Sequence, residues 1–149
     1  MSVGDNPDTV AEQLRHEMTK TAIDWDQVRQ LVPKYPDACK KRNNVGQVLL
    51  HYACGANAPL DVVQLLVKKW PDAVQERDSN GWLPLHFVCI LLNPRFNVIE
   101  WLLDTWPESL NERVNDGRSV MTLPVDITVA NFLLAYQLKQ KLAYSTLLR

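Results

Sequence analysis

The chain has 149 residues, 46% of them apolar and 22% charged, which suits one domain with a buried core and excludes a disordered segment. Sixteen Lys and Arg against seventeen Asp and Glu leave a formal charge of −1, without the basic excess of a dedicated nucleic-acid binder. No apolar run approaches the roughly 20 residues of a membrane span, and MSVGDNPDTV lacks the build of a signal peptide, so three cysteines point to free thiols in the cytoplasm or nucleus.

From Asp8 to about Lys20 the spacing predicts a helix, capped by Asp8 or Thr9, with Val10, Leu14 and Met18 on one face. Ile23, Trp25, Val28 and Leu31 open the next helix, and His16 near the apolar edge has no evident ligand partner. Lys34-Tyr35-Pro36-Asp37-Ala38 then begins a pattern that returns as Lys69-Trp70-Pro71-Asp72-Ala73 and as Thr105-Trp106-Pro107-Glu108-Ser109. Six residues after each proline stands an arginine (Arg42, Arg77, Arg113), and four residues later a glycine (Gly46, Gly81, Gly117). The steps are 35 and 36 residues, and an apolar helical stretch precedes each aromatic-Pro pair. Such self-similarity marks a structural repeat.

Each copy reads as a helix–turn–helix unit. Asp78-Ser79-Asn80-Gly81 is a polar turn whose glycine adopts positive φ at no cost. A short helix is expected from about Leu83, with Pro84 in its first turn. Asn93-Pro94 is expected to end it and cap a second helix, as Asn57-Ala58-Pro59 does one unit earlier. That second helix should run to Trp106, stop at Pro107 and pass into a long polar loop. Tyr35, Trp70 and Trp106 are expected to staple core to loop, Trp101 to be core, and Lys40-Lys41-Arg42 and Lys68-Lys69 to be solvated.

In the last copy Leu123-Pro124-Val125-Asp126 arrives four residues late, with Asp126 where a histidine stands elsewhere, as in a degenerate terminal unit. Ile127 to Leu148 predicts one long helix or a helix pair with apolar residues on more than one face. It either folds back or leaves a patch for a partner or for self-association with another copy.

Gly46-Gln47-Val48-Leu49-Leu50-His51-Tyr52-Ala53-Cys54 and Gly81-Trp82-Leu83-Pro84-Leu85-His86-Phe87-Val88-Cys89 share glycine, histidine and cysteine at one spacing. His51, Cys54, His86 and Cys89 have the chemistry of four zinc ligands. Equivalent residues of stacked units, however, sit about 8–10 Å apart between helix axes, too far to converge at about 2.0–2.3 Å on one ion. Nothing electropositive is placed to activate either thiol. No glycine-rich phosphate loop, paired catalytic carboxylates or Ser/His/Asp grouping is present.

Both segments resemble the G-x-T-P-L-H-x-A-A signature of ankyrin repeats, and two full units with a half unit at each end span about residues 24 to 134. The units run longer than the family's usual length and use Tyr/Trp-Pro-Asp/Glu where that family closes with Gly-Ala. The resemblance implies an all-α stack forming a single domain over 1–149: an N-terminal cap at about 8–45, repeats at about 46–80 and 81–116, and a degenerate repeat with a C-terminal cap at about 117–149. It implies histidines that fix loops by side-chain to main-chain hydrogen bonds and cysteines that act as small packing groups. It also implies a non-catalytic protein-binding module with no cofactor or metal, contacting a protein partner through loop tips and first-helix faces. The positions this selects are Asn44, Val45 and Gln47 in the first loop, Ser79, Asn80 and Trp82 in the second, and Asn115, Asp116 and Arg118 in the third. Ile90 and Leu91 join them on the helix after the second loop. Trp82 draws attention as a candidate hot spot, because the matching positions carry Gln47 and Arg118. The alternatives are a metal- or redox-active protein using His51/Cys54 and His86/Cys89, and an inert scaffold or fragment of a larger repeat protein.

Overall fold

A computed structural model describes residues 6–149. Among them are seven α-helices: α1 (Pro7–Glu17), α2 (Trp25–Lys34), α3 (Leu49–Gly55), α4 (Leu60–Lys69), α5 (Pro84–Cys89), α6 (Phe96–Thr105) and α7 (Ile127–Leu147). One row of helices has α3 between α1 and α5. The 10-residue helices form a second, with α4 between α2 and α6. Leu14, Leu49, Leu50, Leu66, Ile99 and Leu103 are fully buried between the rows. Each contributes about 2 kcal/mol of hydrophobic burial.

The helix starts follow local chemistry, with two corrections. The cap of α1 is Asn6, not Asp8 or Thr9: its Oδ1 accepts the Thr9 N–H at 2.9 Å, and Pro7 occupies the first helical position, where no donor is needed. The helix stops at Glu17, short of Lys20, and the Glu17 carboxylate accepts the Asp24 N–H at 2.7 Å, at the start of α2. Nor does Asn93 cap α6, whose cap is Arg95. Asn57, at φ +55°, reaches over from the unit before, accepting the Arg95 N–H at 3.0 Å and donating to the Asn93 carbonyl at 2.9 Å. The start of α6 is thus held across the repeat boundary.

The Tyr/Trp-Pro-Asp/Glu segments are not open polar loops. Each forms one turn of 3₁₀ helix (Pro36–Lys40, Pro71–Gln75, Pro107–Asn111) that buries Ala38 and Cys39, Ala73 and Val74, or Ser109 and Leu110. Tyr35, Trp70 and Trp106, at the elbows, are half-buried against the core, as is Trp101. Lys41 is tied in rather than free: it pairs with Asp8 at 3.1 Å, and its carbonyl accepts from Arg15 at 3.0 Å.

The last unit has no first helix. Ser119 to Leu123 form turns, closed by Leu123 N–H to Ser119 O at 2.9 Å and by Ser119 N–H to Thr122 Oγ1 at 2.9 Å. Asp126 does not stand in for a histidine but caps α7, accepting the Thr128 N–H at 2.8 Å. α7 is one continuous helix. Val129, Leu133 and Tyr136 anchor its first half, with Phe132 against Phe96 and the Tyr136 hydroxyl donating to Asp104 at 2.8 Å. Leu134, Leu138, Leu142, Tyr144 and Leu147 are exposed.

Candidate functional site

Three loops, ending at Gly46, Gly81 and Gly117, line up beside the first helices. Each is closed alike: Asn43 N–H donates to Gln47 O at 2.9 Å, Asp78 N–H to Trp82 O at 3.0 Å, and Val114 N–H to Arg118 O at 2.8 Å. The glycines have φ +77°, +80° and +90°, the left-handed region where a side chain is strained. Asn43 and Asp78 stiffen the first two loops by accepting two loop amides each on Oδ1, between 2.8 and 3.0 Å.

The periodic arginines join loop to loop. Arg77 donates to its own loop at Gly81 O (3.0 Å), to the next loop at Arg113 O (2.9 Å), and to the Glu112 carboxylate. Arg42 does the same with Gly46 O (3.2 Å), Arg77 O (3.5 Å) and Glu76. The loop tips are joined in parallel, Ser79 N–H to Val45 O at 2.9 Å and Asn115 N–H to Asn80 O at 3.0 Å.

Both histidines are buried and serve this frame. His51 Nδ1 accepts the Val48 N–H at 3.1 Å, and His86 Nδ1 accepts the Leu83 N–H at 2.9 Å. A nitrogen that accepts an amide proton carries none, so the ring proton sits on Nε2. From there His51 donates to the Trp82 carbonyl at 3.0 Å and His86 to the Glu112 carbonyl at 3.3 Å, each in the following repeat. Burial pushes His86 down to about 4 and lowers His51, which keeps both rings neutral. Burial also pushes the thiols up, Cys39 to about 11 and Cys89 to about 12, with Cys54 raised as well. Such thiols are protonated and weakly nucleophilic. Among the described residues no group of three or more His, Cys, Asp or Glu is arranged to hold a metal ion.

Two open clefts lie along the loops and first helices. One, of about 220 Å³, is lined by Met18, Thr19, Gln47, Tyr52, Ala56 and Phe87. The other, of about 310 Å³, is lined by Gln47, Asp78, Asn80, Trp82, Phe87 and Ile90. Gln47 and Phe87 line both, so the two clefts are neighbours across two repeats. Trp82 is half-buried, its ring 5.5 Å from Phe87 and edge-on to His86 at 5.8 Å, and it still forms part of the groove wall.

Four residues singled out in the sequence, Gln47, Asn80, Trp82 and Ile90, therefore meet at one cleft. The others lie apart from it. Asn44, Val45 and Ser79 are exposed on the loop tips, where the Ser79 hydroxyl and amide are both spent on Val45 O. Asn115 donates to Ser79 O at 3.1 Å, and Asp116 and Arg118 pair with each other at 2.6 Å. Ile90 and Leu91 fall beyond the end of α5 at Cys89, with Ile90 as its cap and Leu91 half-buried against the core. Sequence reasoning missed Met18, Tyr52 and Phe87. The last two share the position after each histidine, so the repeat register itself carried a signal for them.

No helix among the described residues is long and apolar enough to cross a membrane. No curated protein matches the chain at significant similarity. A family model for ankyrin repeats, in three copies, matches residues 16–113, well over half of the 149. With paired helices, a histidine bridge and a positive-φ glycine recurring in register, the chain belongs to the ankyrin repeat family, whose members are in general protein-interaction modules.

Proposed function

We propose that this protein binds a protein partner, without catalysis, through the groove shared by its first and second loops and the short helices α3 and α5. The carrying observation is that two clefts in neighbouring repeats share Gln47 and Phe87 in their walls. Its wall is aromatic and aliphatic (Tyr52, Phe87, Trp82, Ile90), with amides at Gln47 and Asn80 for main-chain hydrogen bonds. A groove of this kind takes an extended or helical segment of another chain. The nearest charged side chains are already satisfied, since Asp78 accepts from the Asn80 and Trp82 amides and Arg42 pairs with Glu76. Affinity therefore comes from apolar side chains seated against Phe87 and Trp82, with little dependence on salt.

The test is affinity capture with the intact chain beside the surface variants Ile90→Asp and Asn80→Arg, and beside Trp82→Ala. Partners that bind the parent and are lost about ten-fold or more from all three support the groove. Partners retained by all three place the interface elsewhere.

A further inference from the structure

The loop ladder has a direction, and one of its ends is open. Arg42 and Arg77 each clasp a glutamate of the following loop, Glu76 and Glu112. Arg113 occupies the same position in the third loop and, among the described residues, donates only to its own loop, at Gly117 O (2.6 Å). Among the described residues no carboxylate lies within 4.0 Å of Arg113. The glycines agree. A Cβ built on Gly46 would meet Ser79 at 3.2 Å, and one on Gly81 would meet Asn115 at 2.4 Å, whereas one on Gly117 meets nothing within 4 Å. The loop-tip carbonyls agree too: Val45 O and Asn80 O each accept an amide from the next loop, while Asp116 O accepts none among the described residues.

The chain that leaves this open rung goes on to line an apolar cleft. Arg113 is bridged to Ser119, and from the next residue onward Val120, Met121, Val125, Ala130, Leu133 and Leu134 line a cleft of about 80 Å³. That is far below the 300 Å³ or more of a small-molecule pocket, and of a size to seat a side chain. The exposed leucines of α7, Leu134, Leu138 and Leu142, lead away from it at four-residue spacing. Around them, from 127 to 149, the only charged side chains are Lys139, Lys141 and Arg149.

We propose that this end docks a partner protein through a segment bearing an Asp or Glu beside a large apolar side chain. The carboxylate pairs with the Arg113 guanidinium, as Glu76 and Glu112 do with Arg42 and Arg77. The apolar side chain enters the cleft beside Val120 and Leu134. Charge complementarity selects this occupant. A second copy stacked head to tail would present its first loop, and there Lys41 stands where the later loops have Glu76 and Glu112, opposing like charges at Arg113.

The experiment is selection of random peptides displayed on phage against the intact chain, followed by affinity measurement on variants. Enriched peptides are expected to carry an acidic residue next to Leu, Ile, Phe or Met. They lose about ten-fold or more in affinity on Arg113→Glu and on Leu134→Asp, and stay within about two-fold on Trp82→Ala. Replacing the peptide's acid by Arg should restore binding to the Arg113→Glu chain. Arg113→Gln, which keeps a donor to Gly117 O and removes the charge, serves if Arg113→Glu does not fold. Failure to enrich any peptide, enrichment without an acid, or indifference to both Arg113 variants overturns the proposal. So does dimerisation abolished by Leu138→Asp and untouched at Arg113, which assigns the face to a second copy. Loss on Trp82→Ala alone supports the groove and overturns this site, so the two readings fail separately.

Discussion

His51 donates from Nε2 to the Trp82 carbonyl at 3.0 Å, joining the first helix of one repeat to the loop of the next. The same ring accepts the Val48 amide, so one side chain starts α3 and sets the repeat spacing. His51→Ala leaves the buried Val48 N–H without its acceptor and takes from the Trp82 carbonyl one of its two donors, the other being the Asp78 N–H. It is expected to lower unfolding stability by about 3 kcal/mol in urea titration, while a chelator has no effect on the parent chain.

Acid should unfold the protein through the histidines. His86 titrates near 4 in the folded chain and near 6.5 when unfolded. Its contribution is complete above pH 6.5 and is lost as the pH falls toward 4, because only the unfolded chain takes up the proton in that window. The loss reaches about 3 kcal/mol for His86, and His51, also lowered, adds in the same direction. Urea midpoints measured between pH 7 and 4.5 should fall steadily, and His86→Asn should flatten the slope.

Two glycines with similar backbone angles should respond differently to alanine. Gly117→Ala meets no neighbour and carries only the left-handed strain, about 1–2 kcal/mol. Gly81→Ala adds a clash with Asn115, whose side chain can swing away but whose backbone nitrogen, 3.0 Å from the new Cβ, cannot. The expected cost is about 2–4 kcal/mol, read as a larger drop in Tm than for Gly117→Ala.

The arginines should divide in the same way. Arg77→Ala removes a half-exposed ion pair and two hydrogen bonds to carbonyls, one in its own loop and one in the next. About 1–2 kcal/mol is expected. Arg113→Ala removes one bond within its own loop and should stay within about 0.5 kcal/mol. Equal losses in denaturant titrations would mean that the ladder does not carry the coupling between repeats.

The periodicity determined the helical class, the repeat register and the turn glycines, and the family resemblance implied that His51 and His86 fix loops and that Cys54 and Cys89 pack as small groups. Each of these depends on residues a few positions apart, or on composition recurring at one spacing, and both are visible along the chain. Other features rest on pairs about 31 to 38 residues apart, whose partners differ in type from one unit to the next. Tertiary structure alone decided that Asn57 holds the start of α6, that Gln47 and Trp82 share a groove wall, and that Lys41 is tied to α1. It likewise decided that Arg113 lacks the glutamate its two predecessors hold. A vacancy at the end of a stack is a property of what lies beside a residue in space, and no reading of that residue's own sequence neighbours shows it.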